Sequence, residues 1–345
     1  MTATASATSV LLLRYSGTGP IRGAFPGTGL RSGIPDPLRT AAKGPWMADK
    51  PTGAKDAVDT VRELNKEQSE AAPLAEGEKE KAAERSHLRA AVVFEIIRRE
   101  GEGELARGFS ALWWSGIAAG LSIGFSVLTE AYLSAHLPDE PWKPLVDNLG
   151  YSVGFLIVIM SRQQLFTENT LTAVLPFLSH GGHVWWLVLL RLWGIVLLAN
   201  LIGSLIFAYF IVHSGILSPD VAQAVTRIGE EMMSNTPAQM FFKAIVSGWL
   251  IAALVWMLPS AENSEFLVIT LMTYLIALFD LTHVVAGSTE AFQLYLVGRA
   301  DVAAVVGRFL LPTLAGNVVG GTLLFAVVSY AQVRSEIKKT KADGG

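Results

Sequence analysis

Cysteine is absent from this chain, which excludes a disulfide framework and a thiolate metal centre and leaves the redox compartment open. Charge is scarce as well. Asp, Glu, Lys and Arg make up 17% of the residues against 51% hydrophobic ones, and the mean hydropathy is +0.41. Such a balance excludes an ordinary soluble domain and describes a chain whose solvent is largely lipid. A net charge of -3 carries no footprint for nucleic acid. The sequence also lacks a phosphate-binding glycine loop, metal-ligand spacing and a nucleophile elbow, so neither an enzyme nor a cofactor is indicated. His180 and His183 lie three apart, but Gly181-Gly182 between them favours a turn over a metal pair.

Residues 1–87 differ in character from the rest. Gly, Pro, Ser and Thr dominate up to Trp46, then Lys, Glu and Ala up to Arg89, and this reads as a disordered, low-complexity extension. Arg14, Arg22, Arg31, Arg39 and Lys43 against a lone Asp36 resemble a targeting segment, yet the apolar run Val10 to Leu13 is too short for a signal peptide. An over-long gene start with Met47 as initiator is the competing reading. Over 88–108, apolar Leu88, Val92 and Ile96 with Glu95 and Arg99 at i,i+4 predict an amphipathic surface helix.

A hydrocarbon core needs about 17 to 25 helical residues. Four uninterrupted apolar segments meet that length: Phe109 to Leu133, Val184 to Val212, Met240 to Leu258 and Phe309 to Ala331. Leu149 to Leu178 and Phe266 to Val297 are also long enough but are broken by polar residues. An all-α domain of six crossings over 109–333 follows, helices two and five being broken. Arg85, Arg89, Arg98, Arg99 and Arg107 precede the first crossing, and Arg334, Lys338, Lys339 and Lys341 lie in a basic tail at 334–345. The excess of positive charge places both termini in the cytoplasm.

The chain repeats itself. Asn200 and Gly203 recur as Asn317 and Gly320, each 117 residues later, and the same offset takes Arg191 to Arg308 and Leu165-Phe166-Thr167 to Thr282-His283-Val284. Three crossings per half force the halves into opposite orientations, an inverted repeat. The two breaks then meet near the midplane, where free backbone N–H and C=O groups need partners and a helix N-terminus favours an anion.

His283 stands in one of these breaks, with Asp280 three residues before it. A histidine at bilayer depth points to function: its pKa lies near physiological pH, so it can present a charge to an anion or hand over a proton. A buried histidine that only bonds the broken backbone, with Thr167 as its partner, is the structural alternative. Arg191 and Arg308 are candidate cations drawing anions to the two mouths, or they snorkel to headgroups. Arg162 and Glu168 flank the first break and could pair with each other or with Asp280.

These residues resemble the formate/nitrite transporter family over about Leu88 to Ser335. The likeness rests on Leu165-Phe166-Thr167, on His283 with Val284-Val285-Ala286, on Gly316-Asn317-Val318-Val319-Gly320-Gly321, and on Arg191-Leu192-Trp193 with Asn200 and Trp256-Met257. The resemblance implies an aquaporin-like fold, a homopentamer in the lipid bilayer with one pore per protomer, and a bacterial inner-membrane location. It implies a channel or carrier for small monovalent anions or their conjugate weak acids, with protons as possible co-substrate. His283 is then the central pore histidine, Thr167 its partner, Leu165, Phe166 and Phe155 the surrounding loop and apolar constrictions, Tyr151 a vestibule aromatic, and Asn200 and Asn317 pore-side asparagines. Departures from the family pattern at Arg162-Gln163-Gln164, Glu168, Asp280 and Gly287 leave the substrate open. A neutral-solute or water channel and a non-conducting partner or sensor, sealed by an Arg162–Glu168–Asp280 network, are the rival readings.

Overall fold

The structure, a computed structural model, describes residues 88–334. The expected extension over 1–87, the start at Met47 and the basic tail beyond Arg334 lie outside the described residues. Within them every regular element is helical. In chain order these are α1 (Ala90–Ala106), α2 (Phe109–His136), α3 (Lys143–Met160), α4 (Val174–His180), α5 (His183–His213), α6 (Pro219–Ser234), α7 (Pro237–Ser260), α8 (Glu265–Leu278), α9 (Ala286–Leu296) and α10 (Ala304–Arg334).

Helices α2, α3, α5, α7 and α10 are long and apolar enough to cross a membrane. With 14 and 11 residues, α8 and α9 rise only about 21 and about 17 Å and cannot alone span a core of about 30 Å. The starts of α6 and α7 are written locally: Ser218 accepts from the Val221 amide ahead of Pro219, and Thr236 and Gln239 form a capping box around Pro237. At the far ends of α2 and α5, His136 and His213 donate Nδ1–H to the carbonyls of Tyr132 and Tyr209, at 2.8 and 3.0 Å.

Gly120 on α2 sits where an added Cβ would lie 2.2 Å from the Asn200 carbonyl oxygen on α5, and Gly248 on α7 has the Asn317 oxygen of α10 at 2.5 Å in the same sense. Only glycine lets these backbones approach so closely. Helix α10 is π-helical over Ala304–Leu310 and Val319–Ala326, on both sides of Asn317.

Helix α1 differs from expectation in its buried face. Leu88 and Val92 are exposed, whereas Val93, Phe94, Ile97 and Leu105 are buried. Phe94 packs on the ring of Tyr330, and Thr172 of the chain before α4 closes against Gly101. The helix therefore docks on the bundle end, and tertiary packing, not the i,i+4 pattern alone, selects its inner face. Its outer face carries Glu95 between Arg98 and Arg99, at 2.8 and 2.7 Å. The Arg98 hydrogen bond is the main reason that the Glu95 carboxyl is held down to about 2 from its usual 4.5.

Two predictions follow from this packing. Gly120→Val should destabilise the detergent-purified protein by about 3 kcal/mol, read as a lowered Tm, whereas Gly103→Ala, where a new Cβ meets nothing within 4 Å, should leave Tm unchanged or slightly raised. Because Glu95 is depressed, its pair contributes fully above about pH 4.5 and is lost as the pH falls towards 2. Amide exchange in α1, corrected for intrinsic rates, should thus show equal protection at neutral and mildly acidic pH, and Glu95→Gln should cost under about 1 kcal/mol, since the pair is half exposed.

Candidate functional site

Helices α3 and α8 stop in the same way. Arg162 and Asp280 adopt left-handed backbone with φ of 54° and 49°. Their amides bond three residues back to Ile159 and Ala277, and the next amides, of Gln163 and Leu281, bond five back to Val158 and Ile276. This is a Schellman cap. A left-handed residue other than glycine costs about 1–2 kcal/mol, and the charged side chain at each finds a partner on another helix: Arg162 reaches Glu100 of α1 at 3.6 Å, and Asp280 pairs with Lys243 of α7. The anticipated Arg162–Glu168–Asp280 network is therefore not formed. The partners come from helices whose position the sequence pattern does not encode. Glu168, half-buried, opens the 3-10 turn Glu168–Thr170, and its side chain makes no ion pair among the described residues.

Past each cap the chain turns into the bundle and is caught by one asparagine. Asn200 Oδ1 accepts the Phe166 amide at 2.9 Å, while its Nδ2 donates to the carbonyls of Gln164 and Gly116, both at 2.8 Å. Asn317 Oδ1 accepts the Val284 amide at 2.8 Å, and its Nδ2 donates to Ala244 O at 2.9 Å and Ser247 Oγ at 2.8 Å. Both asparagines are fully buried. These bonds pair Phe166 with Val284, and the caps pair Arg162 with Asp280, an offset of 118 in place of the anticipated 117. Leu165, not Phe166, is thus the counterpart of His283. The one-residue slip lies between the breaks and the asparagines, where an irregular segment accommodates it without disturbing a helix.

His283 and Thr167 meet between the two segments: Nε2 lies 2.8 Å from Thr167 Oγ1, and both residues are buried. The other ring nitrogen, Nδ1, accepts the Ala286 amide at 3.2 Å at the start of α9. An acceptor at Nδ1 assigns the proton to Nε2, so the imidazole is held as the neutral Nε2–H tautomer and donates to Thr167. Phe155 stands edge-on to the imidazole at 5.1 Å, and Tyr151 packs on Phe155 at 5.3 Å. Leu165 is buried beside them. The Phe166 ring turns to Trp193 at 5.8 Å.

A cavity of about 350 Å³ joins His283 to solvent. Its wall includes the exposed Asp139, the half-buried Lys143, and the buried Tyr151, Gly287 and Glu290. Glu130 of α2 also lines it, inside a segment that had read as uninterrupted and apolar. Ionisable residues inside apolar membrane segments are a functional signal in themselves, and that signal adds Glu130, which the search for motifs passed over, to Glu290 of the second broken segment.

Arg191 and Arg308 are placed otherwise than anticipated. Arg191 donates to the Arg107 carbonyl at 2.8 Å, and Arg308 to the carbonyls of Asn235 and Ser234 at 3.1 and 3.4 Å. Each closes the C-terminus of the amphipathic helix, α1 or α6, that leads into the next apolar helix. A guanidinium suits such an end because it satisfies free carbonyls and the negative pole of the helix dipole. Arg308 and Arg191 do not line the cavity. His180 meets Glu102 at 2.6 Å and stacks on Trp185 at 4.4 Å beside the turn at Gly181 and Gly182. Among the described residues no group of His, Asp and Glu is arranged to hold a metal.

Compared with known proteins, the chain matches the family model described as formate/nitrite transporter over residues 91–331. It is 48% identical over 256 residues to inner membrane protein YfdC of Escherichia coli K12, spanning 74% of this chain and 83% of that protein. Over 236 residues it is 27% identical to the nitrite transporter NirC of Salmonella typhimurium, spanning 65% and 84%. Its fold is similar to a solved structure titled pentameric formate channel with formate bound, with a TM-score of 0.58 at 21% identity, covering 66% of this chain and 99% of that one.

The asparagine anchors predict a large and specific effect. Asn200→Leu leaves the Phe166 amide and two carbonyls buried without partners, at about 1–3 kcal/mol each. The purified variant should lose several kcal/mol of stability, read as a steep fall in Tm. A Tm within a degree or so of wild type would mean that this side chain does not hold the segment.

Proposed function

The chain belongs to the formate/nitrite transporter family, and from that premise we propose that it moves a small monovalent anion, or its conjugate weak acid, past His283. It is an integral membrane protein and a transport protein, not an enzyme. The observation that carries the reading is the Thr167–His283 hydrogen bond, made between two interrupted helices at the floor of a cavity. A dehydrated anion in an apolar ring such as Phe155 loses several kcal/mol of solvation. The Thr167 hydroxyl, whose oxygen accepts from His283 Nε2–H and whose own proton is thereby left for the solute, offsets part of that loss.

In this reading α3 with α4, and α8 with α9, each count as one broken crossing, giving six crossings in two inverted halves. The matched caps at Arg162 and Asp280 and the matched anchors at Asn200 and Asn317 support it. Phe155, Leu165 and Phe166 are the apolar constrictions, and Tyr151 lines the approach. A homopentamer in a bacterial inner membrane, both termini in the cytoplasm, accords with the names of the relatives and with the arginines ahead of α2. Formate and nitrite, which those names mention, are the substrates to try first.

One observation favours a second reading. The cavity wall is predominantly acidic, which repels anions and suits a neutral solute. The sensor reading lacks its Arg162–Glu168–Asp280 seal among the described residues, since Arg162 and Asp280 pair elsewhere.

Proteoliposome assays separate these readings. With formate, nitrite, acetate and glycerol compared, the account expects flux of the first three and little of glycerol. His283→Leu, which removes the group that orients a hydroxyl donor worth about 1.5–3 kcal/mol to a charged group, should lower formate flux tenfold to a hundredfold. Glycerol permeation equal to that of formate would establish the neutral-solute channel instead.

A further inference from the structure

Transport as the conjugate acid needs a proton donor, and His283 is poorly placed to be one. Its Nδ1 is occupied by the Ala286 amide, and its Nε2–H is directed at Thr167. A second proton at Nδ1 would set two N–H groups against each other. The cavity beside it offers an alternative. Its charged wall comprises the acids Glu130, Asp139, Asp147, Glu231, Asp280 and Glu290, with only Lys143 and Arg227 as bases. Several of these are already engaged. Lys143 lies 3.3 Å from Asp139, Asp280 pairs with Lys243, and Arg227 donates to Ser134 Oγ at 2.6 Å.

Glu290 stands apart. It lies within α9, is only 6% exposed and lines the cavity, and among the described residues its side chain has neither a hydrogen bond nor an ion pair. The elements packed on α9 do not supply a counter-charge at hand: α2 brings Glu130, α6 brings Glu231 and the engaged Arg227, and the preceding segment brings Asp280 and His283. Helix α5 adds no titratable group to the wall, and Arg308 of α10 is held by the carbonyls at the end of α6. Burying a lone charge is expensive, and a proton removes it.

We propose that Glu290, with Glu130 in the same cavity, is a proton-loading site that converts an entering weak-acid anion into its neutral form. The step deepens the transport reading above and rests on it. The O–H bond of the Glu290 carboxyl breaks as an O–H bond forms on the anion, leaving a Glu290 carboxylate and a neutral acid that passes Phe155. Solvent protons entering at the Asp139 end then restore Glu290, with Glu130 as relay. One proton accompanies each anion, so the cycle is electroneutral. The acidic wall, a hindrance to a channel for free anions, becomes the source of the proton.

The test uses the full chain in proteoliposomes, formate as the probe and a trapped pH dye as readout. Formate-driven internal acidification should quicken as external pH is lowered. In Glu290→Gln it should fall about a hundredfold, the order of magnitude contributed by a positioned proton donor, and lose its dependence on external pH, while Glu290→Asp keeps both. Unchanged flux and pH profile in Glu290→Gln would overturn the proposal. Infrared difference spectra between alkaline and acidic pH read the same group without transport: a protonated-carboxyl band in wild type should vanish in Glu290→Gln, and identical spectra would overturn it. Should Glu290→Gln fail to fold, a shifted band in Glu290→Asp supports the site and an unshifted one refutes it. A wild-type protein that shows the band but moves neither formate nor nitrite would uphold the proton site and refute the transport reading.

Discussion

Backbone polarity inside lipid is the constraint on which the structure depends. A helix that stops within a bilayer-spanning bundle exposes amide and carbonyl groups that water cannot reach, and each costs several kcal/mol if left alone. Asn200 and Asn317 answer this with one carboxamide apiece, accepting an amide from the incoming segment and donating to carbonyls on neighbouring helices. The caps at Arg162 and Asp280 fix where the helices end. The asparagines fix where the chain goes next. Between them they leave Thr167 and His283 in contact, away from the lipid-facing surfaces of α5 and α10.

The chemistry of the site follows from that placement. An imidazole whose Nδ1 accepts the first amide of α9 is held as the Nε2–H form that donates to Thr167, so it suits orienting the Thr167 hydroxyl for a negative or polar solute better than delivering protons. The adjoining cavity has the opposite character, with carboxyl groups in excess and Glu290 deep within it. On the transport reading proposed above, apolar ring, oriented hydroxyl and acidic antechamber divide the work: one excludes bulk water, one replaces lost hydration, and one supplies the proton.

Much of this was legible in the sequence, for identifiable reasons. Polar residues inside apolar runs at 163–170 and 280–290 disclose interruptions, because a continuous helix in lipid has no use for them. The recurrence of Asn200 as Asn317 marks a common task. The stop signals themselves were obscure, since a left-handed cap is ordinarily glycine and here is Arg162 and Asp280. For the same reason the offset was misjudged by one residue. Helix α6 went unread although Ser218-Pro219 begins it plainly. The carbonyls that Arg191 and Arg308 meet were not readable, because a sequence does not reveal which ones a folded neighbour will offer. The pairing of Arg162 with Glu100 likewise depends on where α1 docks, and that is set by Phe94 and Tyr330 together. Glu130 was readable in principle as a single acid in a long apolar helix.

The central claim is that two interrupted segments are held so that the His283 imidazole, as its Nε2–H tautomer, donates to the Thr167 hydroxyl. Solid-state NMR of histidine- and threonine-labelled protein in lipid bilayers tests this most directly, with Thr167→Val identifying the signal. The account predicts a protonated Nε2, an unprotonated Nδ1 and a short through-space contact from Nε2 to the Thr167 side chain. A protonated Nδ1, or an imidazole in contact with acyl chains and not with Thr167, would contradict it.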